Sequence, residues 1–393
     1  MIGTTAIREK LRKQTIGVPS WGFSDSGTRF NVYRRPYSPR TLEHRIADAA
    51  QVHKYTGVAP MIDVHTAWDV AEDWGAVRRY AESLGMRIGA VNPHLFSGND
   101  FALGSFCNPD KRVRTLALQK TLEAVEIARR VGSRVMSMWF ADGSDYPGQD
   151  DFRKRQRYLH EGLKATCDAM DDDMTMVLEY KLFEPNFYSM DLANWGAALL
   201  QAQKLGPRAK VLVDLGHHAL GVNIEQIVAI LLDEDRLGGF HFNDHKYSDD
   251  DLTVGAIAPY QLFLIFCELV KGDLDPQLSE RTAKVALMID ENHNYKNSIE
   301  GTIQSVTALQ IAYARALLVD YGALREMQDR GEVVRVEEII KDAYLTDVRP
   351  LLAEVRTQLG IDPDPLGAFR KSGYIEKITA ERRDLPAAGS LGG

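Results

Sequence analysis

Eight short apolar runs alternate with longer amphipathic segments over the first three quarters of the chain. The runs are nearly continuous in apolar residues, which is typical of parallel strands that are covered on both faces. The segments between them place apolar residues at helical spacing, as at Leu42, Ile46 and Ala49. The predicted strands cover residues 19–23, 60–65, 87–91, 134–139, 174–181, 210–217, 237–242 and 285–290. This alternation predicts an α/β fold, a (β/α)8 TIM barrel, with a doubly wound open sheet as the alternative.

The pattern becomes purely helical after residue 299. Predicted helices cover residues 303–319, 321–330, 336–358 and 364–382. We therefore expect a barrel at residues 1–300 and a C-terminal helical extension at residues 301–384, which packs against the barrel or a neighbouring subunit. The last residues, 385–393, have little to bury, which predicts a disordered tail.

Composition narrows the class of protein. A net charge of −8 gives no general attraction to nucleic acid or to an anionic membrane. The three cysteines, Cys107, Cys167 and Cys267, lack the spacing of a metal site or of a disulfide framework. Residues 1–13 are charged and carry no apolar signal-peptide core. These features predict a cytoplasmic protein.

Acidic and imidazole side chains end four consecutive strand runs of the predicted barrel. They are Glu179, Asp214, His241 and Asp290. Because all strands of such a barrel end at one face, these side chains are expected to converge although they are distant in sequence. Three carboxylates and one imidazole suit a hard divalent cation such as Mn²⁺ or Mg²⁺.

A second cation position is predicted beside the first. His217 follows Asp214 by three residues, and Asp249 and Asp251 lie in the loop after the seventh strand run. An Asp-x-x-His pair alone is weak, and an Asp-rich loop alone is more often a solvated turn. Placed together at ordered strand ends, these residues predict a second ion that shares Asp214 as a bridging carboxylate.

The same residues carry a resemblance to a known family. The chain resembles the xylose isomerase-like barrels and, among them, the L-rhamnose isomerases of the Pseudomonas type. The matching segments are residues 26–30, 46–53, 141–143, 146–151, 178–181, 216–218, 249–252 and 343–349. The resemblance implies a homotetramer, two Mn²⁺-type ions per subunit with Co²⁺ or Mg²⁺ as alternatives, and conversion of L-rhamnose to L-rhamnulose. In that family an aromatic residue of a neighbouring subunit closes the pocket, and Phe30 is the matching candidate.

The mechanism of such an isomerase follows from the predicted ligands. Isomerising an aldose moves one hydrogen between C2 and C1, either through a carboxylate base or as a hydride between polarised carbons. Because nearly every carboxylate is assigned to a cation, the hydride shift is favoured. Lys181, His65 and Asp290 are the candidate catalytic residues. Lys181 lies two residues after Glu179, so it is expected to face the sugar and donate to O1, or alternatively to pair with a ligand carboxylate.

Aromatic residues are expected to hold the sugar. Trp139 and Trp68 offer faces that suit the C–H groups of a sugar, although either could simply be core. His65, oriented by Asp69, is expected to contact the ring oxygen or a terminal hydroxyl. Two sites depart from the family pattern, Thr66-Ala67 and His94. Such changes are worth a few kcal/mol, enough to re-rank sugars, so L-rhamnose is preferred and another aldose remains the alternative.

Three other classes of protein remain open. The same barrel supports sugar epimerases, which use carboxylate bases on opposite sides of the substrate. A metal-dependent phosphoesterase is disfavoured, because its zinc sites are richer in histidine and usually meet phosphate with more basic residues. A non-catalytic sugar-binding protein has no need of two adjacent cations.

Overall fold

Eight parallel strands close into a barrel in the computed structural model, which describes residues 2–28, 30–184 and 188–386. The strands are β1 (Gly17–Pro19), β2 (Met61–His65), β3 (Arg87–Asn92), β4 (Val135–Met138), β5 (Thr175–Glu179), β6 (Ala209–Asp214), β7 (Leu237–Phe242) and β8 (Ala286–Ile289). Gly17 pairs with Met61 of β2 on one side and with Met288 of β8 on the other. The predicted (β/α)8 barrel is therefore confirmed, and the open sheet is excluded.

Helices surround the barrel and continue beyond it. They are α1 (Thr4–Lys13), α2 (Leu42–Thr56), α3 (Trp74–Ser83), α4 (Lys111–Val131), α5 (Phe152–Ala169), α6 (Trp195–Leu205), α7 (Ile224–Asp233), α8 (Pro259–Leu274), α9 (Ser279–Thr282), α10 (Ser298–Leu318), α11 (Tyr321–Asp329), α12 (Val333–Leu345), α13 (Arg349–Gln358), α14 (Pro365–Lys371) and α15 (Tyr374–Arg382). Short 3₁₀ turns cover Trp21–Phe23, Asn99–Phe101 and Leu215–His217. Within the described residues, no helix combines the length and apolar character that a membrane crossing needs.

Three strand predictions extended at least two residues beyond the observed strand end. The fifth run was predicted at residues 174–181, but β5 ends at Glu179. The first run was predicted at residues 19–23, but β1 ends at Pro19 and Trp21–Phe23 is a 3₁₀ turn. The backbone leaves the strand at Ser20, whose φ of −59° and ψ of −39° are helical. The sixth run was predicted to reach His217, but β6 ends at Asp214, whose side chain accepts the Gly216 N–H at 2.7 Å and starts a turn.

The helical extension differs from its prediction in three places. The predicted helix at residues 336–358 is two helices, because Pro350 in the first turn of α13 cannot continue α12. The predicted helix at residues 364–382 breaks at Gly373, whose φ of 67° is left-handed. The predicted boundary at residue 300 falls inside α10, which packs against α2 and α8 and so completes the ring of barrel helices. Of the predicted disordered tail, residues 387–393 lie outside the described residues.

The core lies mainly between the strands and their covering helices, and a smaller apolar cluster of Ala90, Val177, Leu212 and Met288 forms a separate buried group on the strands. The last helix is tied to α2 by a buried ion pair, in which Arg382 Nη1 donates to Asp48 Oδ2 at 2.7 Å and Nη2 to Oδ1 at 2.9 Å. The Tyr374 hydroxyl donates to the same carboxylate at 2.9 Å. Helix α15 is thereby fixed to the barrel.

Candidate functional site

The four side chains predicted for the first cation converge at the carboxyl ends of the barrel strands. Glu179 and Asp214 end β5 and β6, His241 lies near the end of β7, and Asp290 follows β8. One possible ligand atom from each lies within 4.8 Å of the others. Adjacent strand ends of a closed barrel bring these distant residues together, as the topology requires.

The geometry centres on one imidazole nitrogen. His241 Nδ1 lies 3.0 Å from Glu179 Oε1, 3.5 Å from Asp290 Oδ2 and 3.9 Å from Asp214 Oδ2. Two of the carboxylates also accept hydrogen bonds from residues outside the four-residue cluster. Trp21 Nε1–H donates to Asp290 Oδ1 at 2.8 Å, and the side-chain amide of Asn243 donates to Asp214. Outer hydrogen bonds of this kind orient carboxylates toward a shared centre.

The electrostatics of the cluster fit a divalent cation. Burial raises the pKa of Asp214 to about 7. Burial opposes a charge on His241, but the facing carboxylates, with Glu179 foremost, raise its pKa to about 10. Without a cation, bound protons must therefore neutralise part of the negative charge of the buried carboxylates. A hard cation would take the place of these protons, and three carboxylates with one imidazole are ligands that it accepts, so this donor set could hold a metal ion.

Cation binding to metal-stripped protein is expected to release protons and to tighten as the pH rises from about 6 to about 8. Below the pKa of Asp214, near 7, and that of His241, near 10, protons occupy the atoms that a cation needs. Each proton released changes the affinity about tenfold per pH unit. Calorimetric titration with MnCl₂ in two buffers of different ionisation enthalpy measures the release. Equal binding heats in both buffers, with an affinity independent of pH, would contradict this expectation.

The second predicted set is only partly assembled. His217 Nδ1 lies 3.0 Å from the Tyr180 carbonyl oxygen, to which it donates, and Nε2 lies 3.1 Å from Asp249 Oδ1. Asp251, with an unusual φ of 45°, is half-buried near Asp249 and Asp290, and the loss of solvent around its carboxyl raises the pKa of this group well above the usual range. Among the described residues, the group with ligand atoms mutually within 4.8 Å contains neither His217, Asp249 nor Asp251. The second cation position stays a prediction.

Lys181 is turned into the site but is already paired. Its Nζ lies 2.7 Å from Asp249 Oδ2 and 2.7 Å from Glu184 Oε2, and 5.4 Å from the centre of the Trp139 ring. Burial opposes its charge, but the two carboxylates raise its pKa well above the usual range. The ammonium therefore stays protonated and can donate hydrogen bonds, but it cannot act as a base.

An aromatic cavity of about 260 Å³ adjoins the charged cluster. Its aromatic side is formed by Trp21, His65, Trp68, Phe96 and Trp139. The His65 ring lies 4.5 Å from the Trp68 ring and 5.3 Å from the Phe96 ring. His65 Nδ1 accepts the Ala67 N–H at 3.1 Å, and burial lowers its pKa to about 3, so the neutral ring carries its proton on Nε2. That N–H is a hydrogen-bond donor for an oxygen of a ligand.

Three expectations about the pocket need correction or stay open. Asp69 does not orient the His65 ring: it accepts the backbone N–H of His65 at 2.8 Å and pairs with Arg45 at 2.6 Å. The His94 ring is not part of the cavity lining and lies against Ser97. Phe30 is 78% exposed and lies outside the cavity lining of its own chain, so its predicted contact with a neighbouring subunit stays a prediction.

Several site residues were missed from the sequence. Trp21 was assigned to a strand, and its bond to Asp290 spans 269 positions. Phe96 was not predicted as a site residue, although it lines the cavity between Trp68 and Trp139. Glu184 and Asn292 also line the cavity. The signal for Glu184 was its position three residues after Lys181, whereas nothing local marks Trp21.

The fold and the cluster define a (β/α)8-barrel protein with a candidate metal centre at the mouth of the barrel. Residues 47–262 match the family described as xylose isomerase-like TIM barrel, and the chain belongs to this family. A Rhizobium meliloti protein named "Probable sugar isomerase" is 40% identical over 404 residues, covering 100% of this chain and 91% of the relative. A Mesorhizobium japonicum protein named "Probable sugar isomerase" is 40% identical over 387 residues, covering 97% and 89%.

Solved structures share the fold at low identity. A D-tagatose 3-epimerase-like protein superposes with a TM-score of 0.56 at 16% identity, over 76% of this chain and 98% of that one. This likeness concerns the barrel alone. The match of residues 47–262 and the two relatives at 40% identity confirm the resemblance to xylose isomerase-like barrels at the level of the family, and the L-rhamnose isomerase type stays a prediction.

Proposed function

We propose that this chain is a metal-dependent aldose–ketose isomerase, with L-rhamnose to L-rhamnulose as the preferred reaction and a 1,2-hydride shift as the mechanism. The observation that carries the proposal is the cluster of Glu179, Asp214, His241 and Asp290 beside an aromatic cavity. The names of the two relatives that are 40% identical support a sugar isomerase. The cavity, of about 260 Å³, has room for one monosaccharide.

Two divalent cations, preferably Mn²⁺, are part of the proposal. Glu179, Asp214, His241 and Asp290 would hold one, and His217, Asp249 and Asp251 would hold the other together with Asp214. Bound there, the cations would supply Lewis acidity to the oxygens on C1 and C2 of the sugar. Asp290, one of the candidate catalytic residues, would act through this ligation.

The chain's own groups would bind and orient the sugar. The protonated Lys181 would donate to O1, where charge develops in the transition state. The Nε2–H of His65 would donate to the ring oxygen or a terminal hydroxyl. Ser137 Oγ, Trp139 Nε1 and Asn292 Oδ1 are buried without a hydrogen-bond partner among the described residues, and their residues line the cavity. These three polar atoms would meet sugar hydroxyls.

A hydride shift is favoured over a carboxylate base because no free carboxylate is available. Among the described residues that line the cavity, Glu184 is the carboxylate left after both cation sets are assigned. Its Oε2 lies 2.7 Å from the Lys181 ammonium, so this carboxylate is engaged in an ion pair. An epimerase with two opposed carboxylate bases is therefore less compatible with the site.

The aromatic wall favours a deoxy sugar. Trp68, Phe96 and Trp139 form an aromatic wall of the cavity, with neighbouring ring centres 5.2–5.7 Å apart. A methyl group at the far end of L-rhamnose would bury apolar area there, whereas a hydroxyl group would lose its hydrogen bonds. A phosphorylated substrate is disfavoured, because Lys181, the lysine of the lining, is already paired with two carboxylates.

L-Rhamnose labelled with deuterium at C2 is expected to give L-rhamnulose that retains nearly all of the deuterium at C1, because a hydride moves without meeting solvent. The measurement uses metal-stripped protein with Mn²⁺ added back and NMR of the product. Other aldoses under the same conditions rank the substrates, and unlabelled sugar in D₂O is the control. Wholesale loss of the label to water would contradict the hydride shift and favour proton transfer by an epimerase-type base.

The remaining assignments are part of the same proposal. A homotetramer in which Phe30 closes a neighbouring pocket is supported by the 78% exposure of this side chain. A reducing cytoplasm is supported by the three free, buried cysteines.

A further inference from the structure

Tyr180 makes hydrogen bonds to two consecutive histidines at the mouth of the barrel. Its backbone carbonyl accepts from His217 Nδ1 at 3.0 Å. Its hydroxyl lies 2.6 Å from His218 Nε2, with the two rings edge to face at 5.3 Å. The side chain is only 1% exposed. Tyr180, the residue that follows β5, is thus hydrogen-bonded to both histidines that follow β6.

The directions of these hydrogen bonds determine which ring nitrogen of each histidine carries the proton. His218 Nδ1 lies 3.3 Å from the Leu215 carbonyl oxygen, to which it must donate, so Nε2 accepts the Tyr180 O–H. His217 Nδ1 must likewise donate to a carbonyl, so the neutral ring carries its lone pair on Nε2, the nitrogen that lies 3.1 Å from Asp249 Oδ1 and donates to it as long as no cation takes the place of the proton. This is the tautomer that an imidazole needs to bind a cation through Nε2.

We propose that Tyr180 and His218 form a positioning pair that aims Nε2 of His217 at the second cation position and so sets the affinity of that position alone. The inference rests on the proposed function, which assigns His217 to the second cation. His217 is not a ligand of the first cation, whose position shares only Asp214 with the second, and among the described contacts the Tyr180 hydroxyl touches none of the first cation's four ligands.

Core packing is the competing explanation for a buried tyrosine. A packing role predicts lower stability on loss of the hydroxyl, with cation binding unchanged. Tyr321 provides a control, because its side chain is half-buried and its hydroxyl also donates to a carbonyl, that of Ala316 at 2.9 Å, but it lies in the helical extension. Any general effect of losing a hydrogen-bonded tyrosine hydroxyl therefore appears in both variants.

The test titrates metal-stripped, full-length protein with MnCl₂, by calorimetry and by electron paramagnetic resonance of free Mn²⁺. Wild type is expected to bind two equivalents. Tyr180→Phe is expected to keep the first and to weaken the second by about 10- to 100-fold. Tyr321→Phe should match wild type, and His218→Gln, whose side-chain carbonyl can accept from Tyr180, should lose less than His218→Leu.

Kinetics provide a second measurement. The Mn²⁺ concentration that half-activates Tyr180→Phe should rise by the same factor, while kcat at saturating Mn²⁺ stays within about twofold of wild type. A folded Tyr180→Phe that binds both equivalents as tightly as wild type would overturn the positioning pair alone. Wild type that binds fewer than two equivalents would overturn the two-cation proposal and this inference with it. If Tyr180→Phe does not fold, equal affinities in His218→Leu and wild type decide against the pair.

Discussion

Asp214→Asn is expected to lower kcat/KM by at least about 10³-fold, equivalent to about 4 kcal/mol, while the protein stays folded. Asp214 is the carboxylate shared by both predicted cations, and an amide cannot replace a bridging carboxylate. The fold should tolerate the change, because the amide oxygen can still accept the Gly216 N–H that Asp214 accepts at 2.7 Å. The amide also removes a charge that is repelled by Glu179 and Asp290.

Circular dichroism of the metal-stripped variant should therefore show an unfolding temperature equal to or above that of wild type. Asp63→Asn is a matched control, since Asp63 is also buried on a barrel strand and burial raises its pKa to about 7. It lies outside the four-residue group, and its Oδ1 accepts the Ala90 N–H at 2.6 Å, which an amide oxygen can replace. An active Asp214→Asn protein would rule out the shared ligand.

Lys181→Met is expected to lower kcat by about 10²- to 10³-fold at saturating Mn²⁺, because the sugar O1 loses its charged donor. The change keeps most of the side-chain volume against Trp139, which lies 5.4 Å from the ammonium. Turnover is measured over a range of Mn²⁺ concentrations, so that a lost donor can be separated from a disturbed Asp249. Methionine cannot donate, so added Mn²⁺ should not restore kcat.

Glu184→Gln is the companion variant. It removes one of the two carboxylates that hold Lys181 but leaves the pair with Asp249 at 2.7 Å intact, so kcat should change by less than about tenfold. If Lys181→Met regains full kcat at high Mn²⁺, then Lys181 serves only to pair with Asp249. Pairing with a ligand carboxylate is the alternative hypothesis that follows from the position of Lys181, two residues after Glu179.

The barrel and its first cluster could be predicted because both depend on local patterns. A continuous apolar run identifies a buried parallel strand, and the residue at its end faces the mouth. Glu179 and Asp214 end their strands, and His241 and Asp290 lie within one residue of a strand end. Barrel closure then brings them within 4.8 Å without further information.

The rest of the site depends on contacts that leave no local signal. The bond between Trp21 and Asp290 joins the two ends of the barrel sequence. Asp69 was expected to orient the His65 ring, but it accepts the backbone N–H of His65 instead. Proximity in sequence does not indicate whether a carboxylate bonds to the backbone or to the side chain of its neighbour. His94 faces Ser97 because a loop, which has no fixed periodicity, sets its direction. The predicted helix bounds were wrong where a single residue, Pro350 or Gly373, ended a helix inside a long apolar pattern.

The buried pair of Asp48 and Arg382 has a consequence for folding during synthesis on the ribosome. Its members are 334 positions apart, on α2 and α15. Asp48 therefore meets its cation only after the ribosome has added 334 further residues. Until then a carboxyl group of α2 lacks the charge that makes its burial tolerable. Vectorial synthesis can start the barrel, but the final docking of α2 must wait until α15 has been made.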